Sequence, residues 1–267
     1  MKKVIFLLCF VHINCFAKTV GFSYDFGEEN YYFSTLRVEG EINNKSDIYG
    51  KVGITDSDYE PLLIDLELAG EFYWYDWLTT RVGALRYIRN DNTSSTGAVL
   101  GVDFNLLDLL KNGLDTVIYI EPYFIYYTDQ SEQIDADLDH SFYQAHLGVG
   151  IYQNIFESLS FDVSYAIDYY NKTIFDVSRP LKAVVATLSK RTLSFQMDWN
   201  TFDWLMLSGS FSRGQSEVDN AYFSTVGLGT TFWVGEAWSF GVSSSANMSE
   251  DSGISNRMFG FSLEHQW

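Results

Sequence analysis

Cysteine is nearly missing from this sequence: the only two, Cys9 and Cys15, fall within the first 17 residues. Those residues, MKKVIFLLCFVHINCFA, have the layout of a secretory signal peptide, with Lys2 and Lys3, an apolar run from Val4 to Val11, and Cys15-Phe16-Ala17 before Lys18. The run is far shorter than the roughly 20 residues a spanning helix needs. Cleavage after Ala17 is expected, leaving residues 18–267 as one mature domain with no disulfides, thiolate metal ligands or cysteine nucleophile. Basic residues are also scarce. With Lys2 and Lys3 gone from 17, 15 remain against 35 acidic ones, a net charge of −20 that makes nucleic acid a poor partner. Proline occurs three times, at 61, 122 and 180, and no stretch beyond the leader approaches 18 consecutive apolar residues, which excludes a transmembrane helix.

What is abundant is aromatic residues, at 17%, in a chain of mean hydropathy −0.07. They recur with a period of two, the mark of strands with one polar and one apolar face. In 64–74, Ile64, Leu66, Leu68, Gly70, Phe72 and Trp74 alternate with Asp65, Glu67, Ala69, Glu71 and Tyr73. In 159–169, Leu159, Phe161, Val163, Tyr165, Ile167 and Tyr169 alternate with Ser160, Asp162, Ser164, Ala166 and Asp168. The clearest strands run about 10 to 14 residues, against five or six in soluble sheets, and match tilted membrane strands of about 9 to 11. Turn signals divide the chain into about fourteen: 19–26, 30–42, 48–56, 61–74, 78–89, 96–105, 115–127, 141–153, 158–170, 183–199, 204–212, 221–233, 238–248 and 257–267. Pro122 implies a bulge in the seventh, and 188–193 reads as either a turn or a long hairpin, so twelve strands is the alternative. The expected fold is all-β, a closed antiparallel transmembrane β-barrel.

The seven tryptophans support this independently. With the amino terminus in the periplasm, even-numbered hairpins turn there. Trp74 and Trp77 flank one such turn, Trp199 and Trp204 a second, Trp233 and Trp238 a third, and Trp267 ends the last strand. Indoles favour the bilayer interface, so these positions predict a periplasmic aromatic girdle. The terminal MFGFSLEHQW places Phe259, Phe261, Leu263, His265 and Trp267 on one face. Together the leader, the strands and the girdle resemble a Gram-negative outer-membrane β-barrel protein, and the terminal segment resembles the C-terminal signal of that class. The resemblance implies insertion by the barrel-assembly machinery into the bacterial outer membrane, among its lipids and lipopolysaccharide. Trp267 stands where phenylalanine is commoner.

Function must come from sites, because barrels serve pores, enzymes and structural proteins alike. The expected pore-lining set is Arg37, Glu39, Glu41, Asp65, Glu67, Glu71, Arg81, Asp162 and Asp168, with Asp103, Glu121 and Arg89 on the same register. A net acidic lumen favours cations. The readings left open are a porin-like channel for ions or small solutes, a non-conducting structural or surface-binding barrel whose inward charges pair across neighbouring strands and, third, a barrel-rim hydrolase acting on protein or lipid. The loop DQSEQIDADLDH, 129–140, offers Asp135, Asp137 and Asp139 as weak ligands for a divalent cation, and no other cofactor is expected. Asp139–His140 resembles the Asp–His pair of omptin proteases, except that in omptins one residue separates the two. His146 faces inward with no serine motif beside it, so no catalytic residue is assigned and the chain is read as a non-enzyme. Arg86 falls on the lipid-facing register toward the outer end of its strand, where a lipopolysaccharide phosphate or a local bulge would accommodate it. A monomer is the default.

Overall fold

A computed structural model describes residues 18–28, 31–56, 62–89, 94–105, 116–129, 139–156, 158–173, 176–177, 181, 189–217, 219–249 and 253–267. The expected leader, Asp135 and Asp137 lie outside the described residues. Fourteen strands are present: β1 Thr19–Gly27, β2 Tyr32–Asn43, β3 Ser46–Asp56, β4 Leu63–Tyr75, β5 Leu78–Arg89, β6 Ser94–Asn105, β7 Thr116–Asp129, β8 Ser141–Phe156, β9 Leu159–Tyr170, β10 Ser189–Phe202, β11 Leu205–Ser216, β12 Tyr222–Val234, β13 Trp238–Ser249 and β14 Gly253–Gln266. Each pairs antiparallel with its sequence neighbours, and β1 pairs with β14 from Thr19–Gln266 to Gly27–Met258, so the barrel closes. The Trp267 amide donates to the Lys18 carbonyl at 3.1 Å just beyond this seam.

Closure satisfies the backbone groups that a lipid environment leaves no water to solvate. The period-two pattern then sorts the side chains. Leu68, Val82, Leu100, Phe124, Leu147, Val163, Phe195, Phe211, Leu228, Val242 and Phe261 form an exposed apolar belt across β4 to β14. A charge on that belt costs about 2–4 kcal/mol at the bilayer midplane. Phe261→Arg is therefore expected to lower the folding free energy in lipid by about that amount, read as an earlier urea midpoint of the barrel in vesicles.

Two local expectations are corrected. Pro122 makes no bulge: it stays in register with Leu147 of β8. Its missing N–H instead falls on the β6 side, where pairing breaks between Gly101–Tyr123 and Phe104–Ile120 without a shift in register. The 188–193 stretch hides no turn within its described part. From Ser189 it is strand, with one irregularity between Ser189 and Arg191 that leaves Lys190 as the extra residue. The Lys190 ammonium reaches Asn220 Oδ1 at 2.7 Å and Glu217 at 3.7 Å on the next hairpin.

All seven tryptophans lie at the rim that also carries Thr19 and Trp267, hereafter the terminal rim. Aromatic stacking organises it: Trp77 on Tyr75 at 5.3 Å, and Trp204 on Phe202 at 5.4 Å. His265 sits edge-on between Trp238 and Trp267, at 4.3 and 4.2 Å, which explains why an imidazole is tolerated in that apolar register. Trp233 differs from the others in facing: it is in register with Ser239 and lies on the inward phase of β12.

Candidate functional site

The inner wall has two unlike halves. From β2 to β9 it carries the charged set, which the register places on the face opposite the apolar belt. Arg37 bonds Glu39 at 3.1 Å and lies 5.0 Å from the centre of the Tyr49 ring, whose hydroxyl donates to Glu67 at 2.8 Å. Lys51 meets Asp65 at 3.3 Å. Arg81 donates to Glu71 through both Nε, at 2.9 Å, and Nη2, at 2.8 Å. The Tyr73 hydroxyl joins that group, 3.0 Å from Asp47 and 3.2 Å from Glu71. Glu41 reaches Lys18 only at 4.0 Å. These links join side chains on the same or adjacent strands, so part of the charge is indeed neutralised along the wall.

Asp162 is held differently. Tyr119, on β7, crosses β8 to donate to both Asp162 oxygens on β9, at 2.9 and 3.0 Å. Gly150 makes the crossing possible, because a Cβ there would stand inside the Tyr119 ring. Gly150→Val is expected to swing Tyr119 away and to cost about 1–3 kcal/mol of stability through overpacking, measured by urea unfolding in lipid vesicles. Asp168 accepts from Gln144 at 2.8 Å and contacts His146 Nδ1 at 2.7 Å, while Tyr123 stacks on the imidazole at 4.1 Å. A recess of about 410 Å³ opens over these groups, lined also by Glu121, Ser164 and Ser194. Among the described residues no serine hydroxyl bonds His146, so the pair does not form a nucleophile–base arrangement.

Above the recess the wall turns apolar. Tyr127 and Phe142 stack at 4.6 Å and are almost wholly buried. Val177 and Leu181, from the β9–β10 connection, are 0% exposed against them, with Leu85, Tyr87, Ile125 and Tyr170 packed around. The described part of the connection, at Val177 and Leu181, therefore reaches inward at the rim away from the termini. It is clasped there by Asp139, whose amide donates to the Asp176 carbonyl at 2.8 Å and whose carboxylate meets Lys172 at 2.6 Å. That ion pair holds the Lys172 ammonium above its ordinary range, and hydrogen bonds from Thr173 hold Asp176 below its own. Asp139 thus has a cationic partner, and no three histidine, cysteine or acidic side chains among the described residues are gathered as metal ligands.

The other half of the wall, β10 to β14 and β1, was not singled out by sequence reasoning. A band of its inward positions is small, Ser208 and Ser210 on β11, Gly227 and Gly229 on β12, Gly241 and Ser243 on β13, Gly260 and Ser262 on β14, while Asp198, Asp25, Glu264 and Trp233 stand on the same phase beyond it. Serine hydroxyls lean over facing glycines, and a Cβ at Gly227 or Gly229 would stand 2.5 Å from Ser210 or Ser208 Oγ. The signal was present in LSGSFS, VGLGTT and FGFSLE, where glycine or a hydroxyl residue recurs at every second place. It resembles ordinary loop composition, and its only charge, Glu264, comes at the end of the last segment.

No protein-family model matches the sequence, and no curated protein matches it. Solved structures do. A monoaromatic hydrocarbon channel, CymD, matches over 93% of this chain and 87% of its own at a TM-score of 0.59 and 9% identity. The outer membrane protein Omp33 of Acinetobacter baumannii matches over 94% and 98% at 0.53 and 9%. The porin NanC matches over 93% and 100% at 0.50 and 9%. The chain has the fold of a bacterial outer-membrane β-barrel.

Proposed function

We propose that this protein is an outer-membrane channel that passes ions or small polar solutes by diffusion and prefers cations. One observation carries the reading. A charged, acid-dominated wall faces a band rich in glycine and serine across the lumen of a fourteen-strand barrel. Barrels of eight strands fill their interiors with side chains, whereas those of sixteen leave an aqueous channel. At fourteen strands the choice depends on side-chain size, and small residues over one half keep space free.

Cation preference follows from what the pairing leaves over. Arg37, Lys51 and Arg81 are matched by Glu39, Asp65 and Glu71. Glu67 and Asp162 are held by the hydroxyls of Tyr49 and Tyr119 instead. Hydrogen bonds from neutral donors orient a carboxylate without cancelling its charge, so the excess field is negative. The non-conducting reading and a rim hydrolase lack comparable support.

Planar-bilayer recording on the refolded protein tests this. Discrete conductance steps are expected, with a reversal potential of cation-selective sign in a potassium chloride gradient. Replacing Glu67 and Glu71 together by glutamine is expected to move that potential toward zero. Glutamine retains the Tyr49 hydrogen bond while Arg81 loses its counter-charge. Absence of steps rejects the channel, and an unchanged reversal potential in the double variant removes these two residues from the conduction path.

A further inference from the structure

Gly148 of β8 and Ala166 of β9 are in register and leave a gap in the inner wall. The same row sets Glu121 of β7 beside Gly148 and Thr192 of β10 beside Ala166. A Cβ on Gly148 would stand 3.2 Å from His146 Nε2 and 3.5 Å from Glu121 Oε2, so glycine leaves both atoms bordering one free space. That space belongs to the recess of about 410 Å³ over these strands, within the range of about 300–1,000 Å³ usual for small-molecule sites.

The imidazole is held from behind. The Asp168 side chain is 6% exposed and meets His146 Nδ1 at 2.7 Å. Gln144 donates to the same carboxylate oxygen at 2.8 Å, and the Tyr123 ring stacks on the imidazole at 4.1 Å. An ionised carboxylate only accepts, so Nδ1 carries the hydrogen, and the neutral ring presents Nε2 to the gap as an acceptor. Glu121 is the second acceptor there. Of the charges within its electrostatic reach, Arg81 is tied to Glu71, while Asp103 and Asp162 add to the negative field. Hydroxyls edge the other side of the recess: Thr192, and Ser164 in register with Ser194.

We propose that this recess binds a small polyhydroxylated solute bearing a primary ammonium, the chemistry of an amino sugar. The ammonium lies between Glu121 and His146 Nε2, and the solute hydroxyls lie against Ser164, Thr192 and Ser194. Two acceptors on one space call for a group that only donates, and an ammonium has three donors and no acceptor. Serine and threonine hydroxyls both donate and accept, as the hydroxyls of a sugar ring require. A simple amine would leave that edge to water, and a neutral sugar would bring no counter-charge to Glu121. The proposal rests on the channel reading for the passage of the solute and not for its binding.

Isothermal titration calorimetry of the refolded full chain with glucosamine, glucose and methylammonium tests it. Glucosamine is expected to bind tighter than either of the others by about tenfold or more, because glucose lacks the ammonium and methylammonium lacks the hydroxyls. Equal binding of glucose or of methylammonium overturns the proposal, as does absence of glucosamine binding. E121Q, which keeps the side-chain shape and removes the charge, is expected to weaken glucosamine by about tenfold or more. G148V fills the gap without changing any charge and is expected to abolish binding. Wild-type affinity in either variant overturns the site, and should a variant not fold, the ranking of the three probes on the unaltered chain decides. Conductance recorded on the same samples separates the two claims. Binding without conductance steps keeps the site and rejects the channel, whereas steps without binding keep the channel and reject the site.

Discussion

Replacing Val177 and Leu181 by aspartate is expected to raise the single-channel conductance severalfold while leaving the barrel inserted. Both side chains are fully buried against Tyr127 and Phe142 on the inner wall. Burial of each supplies about 1.5–3 kcal/mol, and an aspartate cannot stay there ionised without a partner. The two side chains must then leave the wall, which clears the lumen on the β5–β9 side at the far rim. The barrel itself gains its stability from fourteen closed strand pairings that neither residue joins, so insertion should persist. The Asp139–Lys172 pair and the Asp139–Val177 bridge hold the start of the same connection. Lys172→Ala alone is therefore expected to give a smaller rise and noisier open states. Conductance equal to wild type in V177D/L181D, with folding verified by heat-shifted electrophoretic mobility, shows that the inward connection does not obstruct the path.

That inward reach was not legible in the sequence, and the reason is physical. Strand phase is a local property: Leu66, Leu68 and Phe72 announce their face because each neighbour in the chain points the other way. The same rule located the tryptophans, the strand count and the phase of Arg86 without any knowledge of partners. Val177 and Leu181 lie in an irregular connection, where no period exists. Nothing local distinguishes a side chain buried in the lumen from one exposed at the rim, and only the facing Tyr127 and Phe142 settle it. Pairing partners were equally hidden. Glu71 was readable as inward, yet that Arg81 rather than Arg37 meets it depends on the β4–β5 register. Tyr119 reaching Asp162 depends further on a glycine one strand away. Pro122 erred in the opposite direction: its missing donor implied a distorted strand, but a two-pair gap toward β6 absorbed it while the β8 side stayed regular.

The serine–glycine wall leads to the second large effect. Ser243→Trp is expected to cut conductance severalfold, whereas Val242→Trp, one residue away, is expected to leave it unchanged. Ser243 lies on the inward phase of β13, in register with Gly229 on one side and Gly260 on the other. With no side chain on either neighbour to pack against the new indole along the wall, the ring must project into the lumen. Val242 is 48% exposed on the apolar belt, where an indole adds to a surface already in contact with lipid. The pair thus differs in facing and in little else, and both variants retain the β12–β13–β14 ladder. If conduction instead follows the charged half, S243W conducts like the wild type and the glycine-rich wall is a packing device only. Reduced conductance with unaltered cation preference places the path along the small-residue wall and the selectivity on the carboxylates facing it. The two halves would then divide the work, one setting width and the other setting sign, as their unlike side chains suggest.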